Sequence, residues 1–303
     1  MKKAVMLLLA TSLLIPFSFS PVEVYAKDTS KNKMQSLDKK QKKKLEKRVK
    51  QVKKYFSEYH DLKDQYKDLI QEKQETTKTI VNDVELEQKV KDLQTKITDK
   101  KKGIEEELGL TLKKEKKEIQ KFSTAADVTF DVDMYFDDES DLYVLSGDFE
   151  WDNDDWTEDW DGTSGSIGGN DGIGLSIEED IDIYDSEFIT YYSSNSSTNK
   201  IDWIATDEAE LNYDTNGLGF QFQDAYKGGY AYGYNAESGY ALVFFDFEGA
   251  VPSDNDISIN MGMSHTWDNS EVNSISIGPW SIGFGYNRTT DKWDDEDNDI
   301  VSL

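Results

Sequence analysis

The spacing of apolar residues predicts a helical region in the first third of the chain. From Leu45 onward the apolar positions alternate steps of three and four, interrupted once at Lys63; they are Leu45, Val49, Val52, Phe56, Tyr59, Tyr66 and Ile70. This heptad spacing is typical of a helix that pairs with another helix. A second run follows at Leu86, Val90, Leu93, Ile97 and Ile104. We therefore expect a coiled coil, through which the protein could self-associate, or a helical hairpin.

After residue 122 the apolar period changes from helical to two. Val128, Phe130, Val132, Met134 and Phe136 alternate with mostly acidic residues, as in a strand with one buried face. Further alternating runs are separated by Gly, Asn and Asp clusters, which predicts antiparallel strands in a sandwich or barrel. Residues 240–247 are apolar at odd and even positions alike, so we expect a central strand covered on both faces.

Charge changes at the same point in the chain. Residues 27–122 carry 28 Lys and Arg against 19 Asp and Glu, whereas residues 123–303 carry 4 against 41. All seven Trp residues also lie after residue 122. We predict an α+β, multidomain protein, in which a basic helical arm (27–122) precedes an acidic, aromatic-rich, all-β domain (123–303).

The first 26 residues have the features of a secretory signal peptide. Lys2 and Lys3 precede an apolar run over residues 4–19, and small residues at Val24 and Ala26 suit cleavage before Lys27. The apolar run is shorter than the ~20 residues that a membrane anchor needs. The chain has no cysteine and so no disulfide. We expect a secreted, extracellular protein.

A dense cationic run begins the helical arm. It contains Lys39, Lys40, Lys42, Lys43, Lys44, Lys47, Arg48 and Lys50. Such a run is usually a solvated helix face. Two other interpretations are adhesion to a polyanion, as in an anionic cell envelope or membrane, and docking on the acidic domain of the same chain. We expect no nucleic-acid partner, because export and the acidic domain both argue against it.

Two segments near the end of the chain are almost free of charge. Residues 257–267 and 275–286 alternate apolar residues with small polar ones. They could be core strands, or a β-hairpin that inserts into membranes. The candidate membrane- or partner-binding residues are Ile257, Ile259, Met261, Met263, Trp267, Trp280, Ile282 and Phe284.

Acidic clusters make calcium the one cofactor that the sequence suggests. Calcium binds six to eight oxygen ligands from flexible loops, and one loop offers Asp152, Asp154, Asp155, Asp159 and Asp161. The spacing does not match a helix-loop-helix calcium site, and the alternative is an acidic surface that keeps the protein soluble.

Catalytic signatures are missing from the sequence. There is no cysteine nucleophile, and His265 is the only histidine after residue 122, in an apolar alternation that favours a core position. Paired carboxylates near Trp residues, from Glu150-Trp151 to Glu158-Asp159-Trp160, resemble what glycoside hydrolysis needs, but any chain this acidic offers such pairs. We predict that the protein is not an enzyme.

These observations together predict a secreted, non-catalytic binding protein. Its cationic arm would bind anionic envelope surfaces, and its acidic β-domain a ligand or calcium. The alternative is a secreted antimicrobial, bacteriocin-like or pore-forming, toxin-like protein that is membrane-active through residues 257–286. A lesser alternative is a glycan-binding or glycoside-hydrolysing protein.

Overall fold

A computed structural model describes nine segments of the chain: residues 37–77, 84–113, 128–151, 165–193, 216–227, 233–249, 256–267, 270–287 and 292–302. The expected signal peptide (1–26) and the acidic loop with its calcium candidates (152–161) lie outside these residues.

Two antiparallel helices, α1 (Lys39–Thr77) and α2 (Val84–Glu106), begin the described fold. α1 starts at a capping box, in which Asp38 Oδ1 accepts hydrogen bonds from the backbone N–H of Lys40 and Gln41 while Gln41 Oε1 accepts one from Asp38 N. The helices contact each other where Lys100 Nζ lies 2.7 Å from Glu58 and Lys73 Nζ lies 3.9 Å from Glu87.

Antiparallel strands form the rest of the described fold, which confirms the α+β class. Their bounds are β1 (Leu110–Leu112), β2 (Val128–Asp137), β3 (Leu142–Trp151), β4 (Gly165–Ile177), β5 (Ile181–Ser193), β6 (Gly217–Lys227), β7 (Gly233–Phe247), β8 (Asp256–Thr266), β9 (Val272–Gly278), β10 (Ser281–Tyr286) and β11 (Lys292–Ser302). Nine of these strands form one sheet in the order β1-β2-β3-β7-β6-β4-β8-β11, and β5 also pairs with β7. Within the described residues this strand path stays open, so the expected barrel does not close.

The main core lies between the two halves of the folded sheet. β2, β3, β5 and β7 supply apolar side chains from one half, and β4, β6 and β8 supply them from the other. Alternate residues of β7 enter this core at Ala241, Val243, Phe245 and Phe247. Tyr240, Leu242 and Phe244 lie between these positions and pack in a second core. The prediction that residues 240–247 form a strand covered on both faces is therefore confirmed.

A second core joins α1 to the outer face of the sheet. Val49, Val52 and Phe56 of α1 belong to the same buried cluster as Leu242 and Phe244 of β7. The heptad seam is therefore present, but a coiled coil is not seen in the described residues. A three- and four-residue spacing places apolar side chains on one face of a helix whatever that face packs against, and here a sheet covers it.

The β9–β10 hairpin forms a separate layer on the outer face of the other half of the sheet, over β4 and β6. Ile275, Ile277 and Ile282 form a buried cluster of their own. They lie against glycines of β4 and β6: a Cβ on Gly174 would come within 2.7 Å of Ile282, and one on Gly219 within 2.8 Å of Ile275. Glycine is required at these two positions because the hairpin side chains fill the space of a Cβ.

The expected hairpin over residues 257–286 is not the pairing that forms. β8 pairs with β4 and β11, whereas β9 pairs with β10. Alternation predicts strands but does not identify their partners, and the turn between β8 and β9 leads into a different layer.

Candidate polyanion-binding face and the interface beneath it

The first half of α1 presents a row of lysines to solvent. We call these six exposed residues the lysine stripe: Lys39, Lys40, Lys43, Lys47, Lys50 and Lys54. At 100° per residue they fall within about a third of the helix circumference, opposite the apolar face. At 1.5 Å per residue the stripe is about 24 Å long. Of the other predicted polyanion ligands, Lys42 is half-buried and Lys44 is exposed, 3.7 Å from Glu139.

Arg48 points the other way and anchors the helix. Its side chain is only 5% exposed, and its Nε and Nη2 donate to the two carboxylate oxygens of Asp137 at 2.9 and 2.8 Å. Nη2 also donates to the carbonyl of Leu108. The hydrogen bonds to Asp137 raise the pKa of Arg48, although burial opposes this shift. Burial also opposes the shift of Asp137, but the hydrogen bonds from Arg48 and Ser140 hold its pKa below the ordinary value. Arg48 is therefore an interface residue, which its place in the cationic run concealed.

Further lysines of α1 contact acids of the sheet. Lys53 Nζ lies 3.0 Å from Asp185 and donates to the carbonyl of Ser186. Lys67 Nζ lies 3.3 Å from Glu150 and 3.2 Å from Glu237. Lys63 pairs with Asp148. The third interpretation of the cationic run, docking on the acidic part of the same chain, thus describes Arg48 within the run, and these three lysines make similar contacts beyond it. Adhesion concerns the solvent-facing lysines of the run.

A small polar cavity lies beneath the second half of α1. Its volume is about 20 Å³, which is room for about one water molecule and not for a sugar ring. The charged lining residues are Lys63, Asp64, Lys67, Asp148 and Glu150. His60 and Tyr191 also line it, and the ring of His60 stacks on Tyr240 at 4.1 Å. His60 is buried.

Burial and neighbouring acids perturb the carboxyl groups around this cavity. Burial, then Asp68 and Glu237, raise the pKa of Asp64 to about 8. Burial and Glu237 raise the pKa of Asp68 to about 6. Burial also raises the pKa of Asp148 to about 6, although Lys63 opposes the shift. The sequence offered no sign of this group, because its members come from α1, β3 and β7.

Most of the candidate membrane-binding residues are in the core. Ile257, Ile259, Met261 and Met263 belong to the main core, and Met261 is 0% exposed. Ile282 is buried under the β9–β10 hairpin, while Phe284 and Trp267 are half-buried. Trp280 alone of this set is exposed, at 61%, in the turn between β9 and β10. The structure thus separates one solvent-facing Trp from a set that sequence reasoning had grouped together.

His265 is held by an aspartate that sequence reasoning missed. Its Nδ1 lies 3.1 Å from Asp171 Oδ2, and Asp171 Oδ1 accepts a 2.8 Å hydrogen bond from Thr266 N. The rings of Trp151 and His265 meet edge to face, with their centroids 5.4 Å apart. An acid-oriented histidine is part of a hydrolytic triad, but both residues are buried among core side chains. The pair satisfies its own polar groups inside the core, as buried polar groups usually do.

The remaining site candidates concern metals and glycans. Asp152, Asp154, Asp155, Asp159 and Asp161 lie outside the described residues, and within the described segments no group of three or more His, Asp or Glu is placed to hold a metal ion. Of the glycan candidates, Glu150 pairs with Lys67 and Trp151 is buried. Glu158, Asp159 and Trp160 lie outside the described residues.

Comparisons with known proteins add no relative: models of known protein families give no match, and neither do curated protein sequences. Among the helices that the structure describes, none has a stretch long and apolar enough to cross a membrane.

Proposed function

We propose that this chain is a secreted, non-catalytic binding protein that attaches to an anionic surface of the cell envelope through the lysine stripe. One observation carries the proposal: six exposed lysines lie along one face of α1, whose opposite face is buried against the sheet. The stripe is therefore presented on a helix that the sheet supports.

Energetics favour this use of the stripe. A lysine near an anionic membrane surface contributes about 1 kcal/mol, so six in a row add up to measurable binding. The helix is already docked, so binding does not have to order the backbone as well. We further propose that the supporting sheet acts as an open-edged β-sandwich, whose two halves enclose the main core and resist bending.

The sheet on which α1 packs lies on the side of the helix away from the stripe. The stripe lies on the solvent side of α1, and a helix with its side chains is about 10 Å across. At physiological salt, electrostatic interactions between exposed charges are screened over about 8 Å. The carboxylates of the sheet, behind α1, are therefore largely screened from a surface that touches the stripe.

Vesicles and polymers test the stripe. The full-length mature protein is mixed with vesicles of anionic phospholipid, or with teichoic acid, at rising salt. The stripe variant replaces Lys39, Lys43, Lys47 and Lys50 with Gln, and the matched control replaces four exposed lysines of α2, Lys89, Lys91, Lys96 and Lys102, with Gln. We expect wild-type binding that weakens with salt, and a loss of about tenfold or more in the stripe variant only. Equal loss in both variants, or salt-independent binding, contradicts the proposal.

We also propose that the acidic part binds calcium through the loop that contains Asp152 and Asp161. The support is compositional, because 41 acids against 4 basic residues repel one another in the compact state and bound cations relieve that repulsion. Millimolar calcium added after chelation should raise the melting temperature, and Asn at all five loop candidates should remove the increase. An unchanged melting temperature in the wild type contradicts calcium binding.

The membrane-active alternative, bacteriocin-like or toxin-like, has one supporting observation. Trp280 is exposed in an uncharged turn, and Trp is a residue that favours membrane interfaces. β9 and β10 have 7 and 6 residues, fewer than the ~9 to 11 that a membrane-spanning strand needs, so we propose contact at the interface for this alternative. A blue shift of Trp fluorescence on vesicles that Trp280→Ser abolishes supports it, and its absence contradicts it.

A further inference from the structure

The two halves of α1 are held on the sheet in different ways. The first half buries Val49, Val52 and Phe56 and is anchored by Arg48. Beyond His60, none of the α1 side chains that the structure describes is buried. The second half, which we define as residues 61–73, therefore depends on polar contacts with the sheet.

Acids outnumber bases in these polar contacts. Asp61, Asp64 and Asp68 recur at helical spacing on α1, and Tyr191 of β5 donates a 3.1 Å hydrogen bond to Asp61. The sheet contributes Asp148 and Glu150 from β3 and Glu237 from β7. Six carboxyl groups thus surround two ammonium groups, those of Lys63 and Lys67. The other titratable groups that face them are Asp131 and Asp133 of β2, His60, Tyr240 with its partner Glu187 and, towards α2, Tyr59 with Lys101.

Repulsion among these acids, when they are ionised, opposes the docking of the second half of α1 on the sheet. Asp64 is raised to a pKa of about 8 and Asp68 to about 6, by burial first and then by neighbouring carboxylates. An acid whose pKa is raised by docking binds more protons in the docked helix than in a freed one. Docking is therefore strongest at low pH and weakens as the pH rises through these values.

We propose that the second half of α1 is a pH-dependent latch, which stays on the sheet while the acids between helix and sheet carry protons and detaches as they ionise. The first half stays docked, because its apolar contacts and the Arg48–Asp137 pair keep their form in this range. The latch does not depend on the proposed function, since the lysine stripe lies on the half of α1 that stays in place.

Hydrogen exchange measured by mass spectrometry tests the latch on the intact mature protein. Amide protection is compared between pH 6 and pH 9 after correction for intrinsic exchange rates, with peptides over residues 61–73 as the reporter and peptides over residues 45–56 of the same helix as the internal control. We expect protection in 61–73 to fall by about tenfold or more while 45–56 changes little, since one unit of pKa corresponds to a factor of ten.

Variants distinguish ionisation of this cluster from general loosening at high pH. The double variant Asp64→Asn, Asp68→Asn should keep residues 61–73 protected at pH 9, whereas Asp99→Asn, an exposed acid on α2, should behave as wild type. If the double variant does not fold, Glu237→Gln relieves the same repulsion from the sheet side. It should likewise keep residues 61–73 protected at pH 9. Protection that stays parallel in 61–73 and 45–56 at every pH, or an unchanged pH response in the folded variants, overturns the proposal.

Discussion

At the residue scale, Arg48 joins helix and sheet through a buried, two-point pair with the carboxylate of Asp137. Replacing it in Arg48→Met leaves the carboxylate of Asp137 buried without its partner, so we expect a loss of about 3 to 5 kcal/mol in the free energy of unfolding. Urea denaturation measures it. Lys47→Met, one position away on the exposed face, is the control and should change stability by less than about 0.5 kcal/mol. Similar losses in both variants would show that Arg48 is no anchor.

A glycine under the β9–β10 hairpin gives a second residue-scale prediction. A Cβ on Gly174 would come within 2.7 Å of Ile282, so Gly174→Ala should force the hairpin outward and cost about 1 to 3 kcal/mol in urea denaturation. Gly278→Ala is the matched control, because its Cβ would meet nothing closer than 3.5 Å. Equal tolerance of both substitutions would contradict the contact between the hairpin and Gly174.

The sequence contained a sign of the role of Arg48 that charge counting overlooked. Arg48 is one of two arginines in the chain and stands among lysines. Only arginine offers a planar pair of donors to a carboxylate, so an isolated arginine beside an apolar seam favours a buried pair over a solvated face. Its partner could not be predicted, because Asp137 lies 89 residues away and resembles the many other acids of the chain.

At the scale of elements, the α1 seam should be as sensitive as a protein core. Phe56 is buried among side chains of the sheet, so Phe56→Ala should lower the free energy of unfolding by about 3 to 5 kcal/mol. Val84→Ala, at a residue 75% exposed at the start of α2, should have little effect. A loss for Phe56→Ala that depends on protein concentration would instead indicate a coiled coil between chains.

The kinds of element were predictable, and their partners were not. Leu242 and Val243 illustrate what the apolar pattern can predict: the unbroken apolar run over residues 240–245 of β7 requires cover on both faces, and both faces are covered. Met261 illustrates its limit. A strand with one apolar face fits a core as well as a membrane, and the pairing of β8 with β4 and β11 places that residue in the core.

At the scale of the whole molecule, pH should set stability from two sides. The pKa of Asp137 is lowered on folding, so its contribution is lost as the pH falls below the ordinary value of 3.8. The pKa values of Asp64, Asp68 and Asp148 are raised, to about 8, 6 and 6, so their contribution is full at low pH and lost as the pH rises through those values. Because the loss from the raised acids begins above their ordinary value of 3.8, we expect the maximum melting temperature near pH 4 and a decline from there towards pH 8.

Melting curves from pH 3 to pH 9 measure this dependence. The Asp64→Asn, Asp68→Asn double variant should flatten the alkaline side of the curve and leave the acid side unchanged, because Asp137 keeps its pair. A maximum above pH 8 in the wild type would contradict the assignment of these acids.

The sequence by itself determined the period of the long helices and strands and the contrast between basic and acidic regions, but not the short strand β1 (Leu110–Leu112), which lies inside the predicted helical arm. These properties are local, because period and composition are read from neighbouring residues. Tertiary structure alone decided that the apolar seam of α1 packs on a sheet, and that Arg48 faces the sheet while the lysine stripe faces solvent. It also decided that six carboxyl groups, three from α1 and three from the sheet, lie together between the two. Those outcomes depend on contacts between residues far apart in the chain, and local spacing carries no information about which distant face a side chain will meet.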